Sequence, residues 1–158
     1  MKREVELKVN GEGYNIMVDT RETLLDALRY RLGFMGSKEG CGNGNCGSCT
    51  VDLNGATVNS CLVFAVEGHG AEITTVEGLS ANGKLHPVQQ AFIEHGALQC
   101  GFCTPGFIMS AKALLDQNPN PTAQEIRLAL AGNLCRCTGY DKIVRAVTAA
   151  SHALYKPA

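Results

Sequence analysis

Tryptophan does not occur in these 158 residues, and only 18% of them are charged, against roughly 25% in an ordinary soluble domain. A surface this poor in charge suits a chain that works against partners. Fourteen basic residues face fifteen acidic ones with no basic run among them, which excludes a nucleic-acid footprint. No segment approaches the ~18 consecutive apolar residues of a membrane-spanning helix. The opening MKREVELKVNGEGYNIMVD alternates polar with apolar and has no apolar h-region, so it does not read as a secretory signal. There is no internal repeat and no low-complexity tract.

What is present is a core-forming composition, 45% apolar, and eight cysteines. The chain reads as cytoplasmic, where thiols stay reduced and patterned cysteines mean metal or redox chemistry; a disulfide framework would need a secreted chain. The first half reads as strands around one helix. VELKV and YNIMVD flank an Asn10-Gly11 hairpin signal, and a second hairpin, CTVDLNGATVNSC, turns at Asn54-Gly55. Between them TLLDALRYRLG has helical periodicity, with Leu24, Leu25, Leu28 and Leu32 on one face and Gly33 as the stop. AEITTVEG adds a short strand, giving an α+β unit of β-grasp type.

Beyond the turn-rich LSANGKLHP the pattern is helical. Pro87 can open one helix, and a second carries the stripe Ile108, Ala111, Leu114 and Leu115. Thr122 with Glu125 matches a capping box for a third, and the fourth should bury Ile143, Val144, Val147 and Leu154. Four such helices suggest a small bundle. The expected division is 1–79 and 80–158. Each half is small enough for a metal staple to matter.

GCGNGNCGSC, residues 40–49, spells G-x-G-x-x-G with its glycines and C-x4-C-x2-C with its cysteines. A dinucleotide fingerprint must leave a strand and open a helix. Here it follows a helix and enters a hairpin, so the nucleotide reading fails. The glycines instead let the backbone coil at positive φ around Cys41, Cys46 and Cys49, with amides close to the sulfurs. Cys61, at the far end of the hairpin, completes the plant-type 2Fe–2S spacing. A four-cysteine zinc site fits this spacing less well. The second set is Cys100, Cys103, Cys135 and Cys137. Alone, C-x2-C with C-x-C divides between zinc and iron–sulfur, with thioredoxin-like chemistry a third possibility lacking its βαβ context. Cys135 and Cys137 must occupy a non-helical turn to share a centre. Gly132-Asn133 and Thr138-Gly139 should supply that turn, and Pro105-Gly106 a similar one after Cys103.

Together, GSKEGCGNGNCGSCTV, LQCGFCTPG and GNLCRCTGY resemble the iron–sulfur subunit of the xanthine-oxidase family of molybdenum hydroxylases, which includes carbon monoxide and nicotinate-type dehydrogenases. The resemblance covers nearly the whole chain; Ser48 stands where alanine is common. It implies a plant-type ferredoxin-like β-grasp domain followed by a four-helix bundle, each with one 2Fe–2S cluster. The chain, ending after its helical part, looks like the separate small subunit. The resemblance also implies a large molybdopterin partner, a medium FAD subunit or another acceptor, and a hetero-oligomer such as a dimer of heterotrimers. Gln99 and Cys137 would then lie near the molybdopterin. On this reading the chain carries no catalytic residue and works as an electron relay inside a larger oxidoreductase. The rivals are a zinc-binding structural adaptor and a stand-alone ferredoxin. His69, His86, His95 and His152 lack a Cys-x-His pairing, so a Rieske site is unsupported and their roles are surface or packing ones. Lys38 and Glu39 are solvated or face a partner.

Overall fold

The computed structural model describes residues 1–155; the expected second unit, 80–158, ends with three residues outside those described. The fold is α+β. Strands β1 (Lys2–Val9) and β2 (Glu12–Asp19) form an antiparallel hairpin, and β3 (Thr50–Leu53) and β4 (Ala56–Asn59) form another. Both turns are Asn-Gly pairs with positive φ at each residue, 53° and 87° in one, 54° and 85° in the other. That is the turn whose twist matches paired strands. β5 (Glu72–Thr74) lies parallel to β1 and antiparallel to β3, completing a five-stranded mixed sheet in the order β2-β1-β5-β3-β4.

The expected helix from Leu24 is only partly α-helical. One α-turn, α1 (Leu24–Asp26), capped by the Thr23 side chain, widens into a π-turn over Ala27–Arg31. Leu24, Leu25 and Leu28 are fully buried, whereas Leu32 is only partly so. The wider turn moves Leu32 off the face that strict 3.6-residue periodicity would give it. Leu7, Val9, Leu24, Leu28, Val51 and Ile73 form a core between the sheet and this helical turn.

Helices α2 (Pro87–Glu94), α3 (Thr104–Gln117), α4 (Ala123–Ala129) and α5 (Asp141–Tyr155) surround a second core. Its largest members are Phe92, Phe107, Leu115, Ile126 and Ile143, each about 1.5–3 kcal/mol more stable inside than exposed. Pro87 sits in the first turn of α2, and Thr122 and Glu125 form the reciprocal capping box of α4. His86 caps α2 by accepting from the Val88 amide, a structural role.

Pro105-Gly106 is not the turn expected after Cys103. It lies in the first turn of α3, where proline needs no amide and has a suitable φ. Gly106 answers a different need: a Cβ there would overlap the carbonyl oxygen of Gly47 in the first cysteine loop. The two halves meet at this point. Asn133, 5% exposed, donates from Nδ2 to the Gly47 oxygen at 3.0 Å and accepts from the Ser110 hydroxyl at 2.7 Å. Leu134 N–H donates to the Cys46 carbonyl at 2.9 Å. Removing a partner that satisfies buried polar groups costs about 1–3 kcal/mol. Asn133→Ala is therefore expected to lower unfolding stability by about that amount in denaturant titrations. A change within error would show that the contact between halves does not depend on this amide.

Candidate metal centres

The first cysteine loop coils because Gly42, Gly44 and Gly47 take φ of 66°, 82° and 68°. These left-handed angles are accessible to glycine without steric cost. They turn successive amides inward. Hydrogen bonds from the Asn43 amide first, then from the Cys46 thiol and the Cys46 and Asn45 amides, bring the Cys41 thiol down to about 7. Asn59 holds the loop from outside, donating from Nδ2 to the Gly44 carbonyl at 3.0 Å. Ser60 donates from its hydroxyl to the Cys49 carbonyl at 2.7 Å. The hairpin thereby brings Cys61 back to Cys49, whose thiol is pushed up to about 11, by burial first and then by its Cys61 and Cys46 neighbours.

Arg29 secures the approach to this loop. Its Nη1 donates to the Met35 and Ser37 carbonyls, at 3.2 and 2.6 Å, while its Nε is buried without a partner. The π-turn that carries Arg29 and the loop it grips are thus tied into one unit. The helical periodicity of TLLDALRYRLG carries no trace of this role, because the Arg29 partners lie beyond the helical turn.

The second set gathers from the approach to α3 and from the irregular segment before α5. Residues 132–139 are non-helical, as the C-x-C spacing requires. The Cys100 and Cys137 sulfurs lie 3.7 Å apart on the surface. A disulfide would bring them to about 2.05 Å, whereas two thiolates on one tetrahedral metal, with bonds of about 2.3 Å, stand roughly 3.8 Å apart. Inside, burial and then the neighbouring Cys135 thiol push Cys103 up to about 12. Burial acts upward on Cys135, but hydrogen bonds from the Thr138 hydroxyl and amide, the Cys137 amide and the Cys103 thiol together leave its thiol below the ordinary value. Tyr140, at a positive φ of 69°, accepts from the Cys135 amide at 3.0 Å and stands edge-on to Phe107.

Cys46, Cys100, Cys103, Cys135 and Cys137, with Phe102 and Leu134, line one recess of about 240 Å³. Cys100 and Cys137 are thus a pair by distance, and Cys41 with Cys46, Cys49 with Cys61, and Cys103 with Cys135 are near enough for the neighbouring thiol to shift the first of each pair. Among the described residues no three His, Cys, Asp or Glu side chains converge as on a single ion. Pairing of this kind fits a two-iron cluster, each of whose irons takes two thiolates. The buried Thr104 hydroxyl, one residue after Cys103, has no acceptor among the described residues. Four crowded thiols cannot all ionise without repelling one another, and a cationic centre would remove that cost as the thiols give up their protons. Gln99 is exposed and donates from Nε2 to the Cys137 carbonyl at 3.0 Å, so it faces the rim of the second set.

Two family models match, a 2Fe-2S iron-sulfur cluster binding domain over residues 7–80 and a 2Fe-2S binding domain over residues 75–148. The nicotine 6-hydroxylase small subunit of Paenarthrobacter nicotinovorans is 55% identical over 144 residues, covering 91% of this chain and 87% of that one. The nicotinate dehydrogenase small FeS subunit of Eubacterium barkeri is 50% identical, with 92% and 93% covered. Quinoline 2-oxidoreductase from Pseudomonas putida 86 contains a chain that superimposes with a TM-score of 0.93 at 45% identity, covering 96% and 95%.

Because Arg29 makes two charge-assisted bonds, each worth about 1.5–3 kcal/mol, its removal should loosen the loop selectively. In Arg29→Leu, amide exchange at Lys38, whose N–H donates to the Ser48 carbonyl at 3.0 Å, is expected to accelerate by about tenfold or more. Exchange in α2–α5 should stay unchanged. Equal protection at Lys38 in both proteins would show that the loop is held without the guanidinium.

Proposed function

Since this chain belongs to the iron–sulfur subunits of the xanthine-oxidase family of molybdenum hydroxylases, we propose that each of its two cysteine sets holds one 2Fe–2S cluster. The chain is an electron-transfer subunit of a multi-subunit oxidoreductase. Cys41, Cys46, Cys49 and Cys61 hold the first cluster; Cys100, Cys103, Cys135 and Cys137 hold the second. Each cluster supplies a one-electron carrier. The observation that carries this reading is the gathering of Cys100, Cys103, Cys135 and Cys137 on one recess with two of their sulfurs 3.7 Å apart, beside the two 2Fe-2S domain matches.

The residues around the sulfurs do the rest. Amides of the glycine-rich loop offset thiolate charge at Cys41. The Leu134 N–H to Cys46 carbonyl bond joins the neighbour of one ligand to a ligand of the other set. That bond leaves a short covalent and hydrogen-bonded path between the sets. We read residues 1–79 as a β-grasp ferredoxin-like domain and residues 80–158 as a four-helix bundle domain.

The second set faces the partner that carries the molybdopterin. Support comes from the exposed Cys100 and Cys137, from Gln99 at their rim, and from the half-exposed apolar Phe102 and Leu134 beside them. An aromatic and a leucine left open next to polar ligands suit a surface that another subunit covers. The first set passes electrons to FAD on a medium subunit or to another acceptor. The assembly is a cytoplasmic hetero-oligomer; among the described residues no helix is long and apolar enough to cross a membrane.

Metal analysis of the purified chain should give about four irons and four acid-labile sulfides, two of each per cluster. Two zincs and a colourless protein would overturn the assignment. Cys46→Ser should remove one paramagnetic signal of the reduced protein and spare the other, while loss of both in a folded chain would show the grouping to be wrong. Gln99→Ala should keep both clusters but slow reduction of the second-set signal after substrate is added to the complete enzyme. Rapid-freeze spectroscopy reads this directly, and an unchanged rate would remove Gln99 from the path.

A further inference from the structure

The two sets differ in what donates to their sulfurs. At Cys41 the protein donors other than its partner thiol are backbone amides. At Cys135 a side chain takes part: the Thr138 hydroxyl donates to Sγ at 3.0 Å, and the Thr138 amide donates to the same atom at 3.3 Å. Among the described residues no other hydroxyl donates to a cysteine sulfur. Thr138 itself is held in place, because its Oγ1 also accepts from the Tyr140 amide at 3.3 Å. The Tyr140 hydroxyl oxygen in turn accepts from the Cys135 amide at 3.0 Å. The Tyr140 amide occupies one acceptor position of the Thr138 hydroxyl, whose proton points along the 3.0 Å contact with the sulfur.

The Cys135 pair is also the inner one. Cys135 is buried and Cys103 partly so, whereas Cys100 and Cys137 are both exposed. Cys135 directly follows Leu134, whose amide bonds the Cys46 carbonyl of the first set. Hydrogen bonds to ligating sulfurs shift a cluster's reduction potential, because they stabilise the more negative, reduced state.

We propose that the Thr138 hydroxyl, through its 3.0 Å bond to the Cys135 sulfur, would raise the reduction potential of a cluster held by the second set. This rests on the assignment of a 2Fe–2S cluster to the second set. Thr138 is a positioning and tuning residue: it acts through the Cys135 sulfur and touches no substrate.

The test is spectroscopically monitored potentiometry of the two clusters in the complete chain. Thr138→Val removes the hydroxyl at nearly constant volume. It is expected to weaken electron binding at the second cluster about tenfold, a fall of about 59 mV for a one-electron couple. The first cluster should keep its potential, and Thr138→Ser should restore the second. A purely structural role would lower iron content or broaden both signals without moving one potential. If both clusters are intact in Thr138→Val and neither potential moves, the proposal is wrong. If the unaltered chain shows no second signal, the cluster assignment itself fails, which iron analysis separates from the first outcome. A measurement on the unaltered protein guards against a variant that does not assemble. Proton double-resonance spectra of its reduced second cluster in H2O and D2O should show an exchangeable hydroxyl coupling, and its absence would equally overturn the proposal.

Discussion

One oxygen atom organises the junction of this protein. The Gly47 carbonyl, between two cysteines of the first loop, accepts from the Thr50 amide at 3.2 Å, the Thr50 hydroxyl at 2.7 Å and Asn133 Nδ2 at 3.0 Å. Helix α3 comes so near to it that only glycine fits at position 106. A carbonyl has two lone pairs, so three donors saturate it. The peptide that bears it is consequently fixed in orientation, and so are the amides on either side of it in the cysteine loop. Because one of the three donors is separated from it by 86 residues, the loop's shape and the docking of the helical half are a single structural fact.

Electrostatics explains why such rigidity is needed. Thiolates brought within a few ångströms of each other are unstable together, and the upward displacement of Cys49 and Cys103 expresses that crowding along with their burial. Iron relieves the repulsion only if the sulfurs are already placed, and backbone amides soften what charge remains. Around the first centre the protein relies on oriented backbone dipoles, whose positions are set by glycine turns and by bonds such as Arg29 to the Ser37 carbonyl.

Much of this was legible in the sequence, for reasons that differ from element to element. Asn10-Gly11 and Asn54-Gly55 announce their hairpins because the turn needs two positive φ angles. The Thr122–Glu125 box announces α4 because both partners are local. The C-x-C spacing was enough to exclude a helix at Cys135. Features that depend on distant partners were not readable. Pro105-Gly106 looks like a turn until Gly47 is found opposite it. The π-turn at Ala27–Arg31 is hidden because its leucines still follow a helical spacing. Asn133 and Thr138 were legible as turn residues, but the partner of the first lies in another half of the chain and the second's acceptor is a sulfur. Neither pattern leaves a periodic trace.

In each cysteine set one edge is open and the other closed: Cys41 is exposed and Cys49 buried, while Cys100 and Cys137 are exposed and Cys135 buried. A prosthetic group can enter such a pocket from one side only, and at the second set that is the side which faces a partner subunit in the reading given above. If a partner subunit covers that side, the second set must receive its cofactor before the partner docks, because a partner seated over an empty set would close the only open edge.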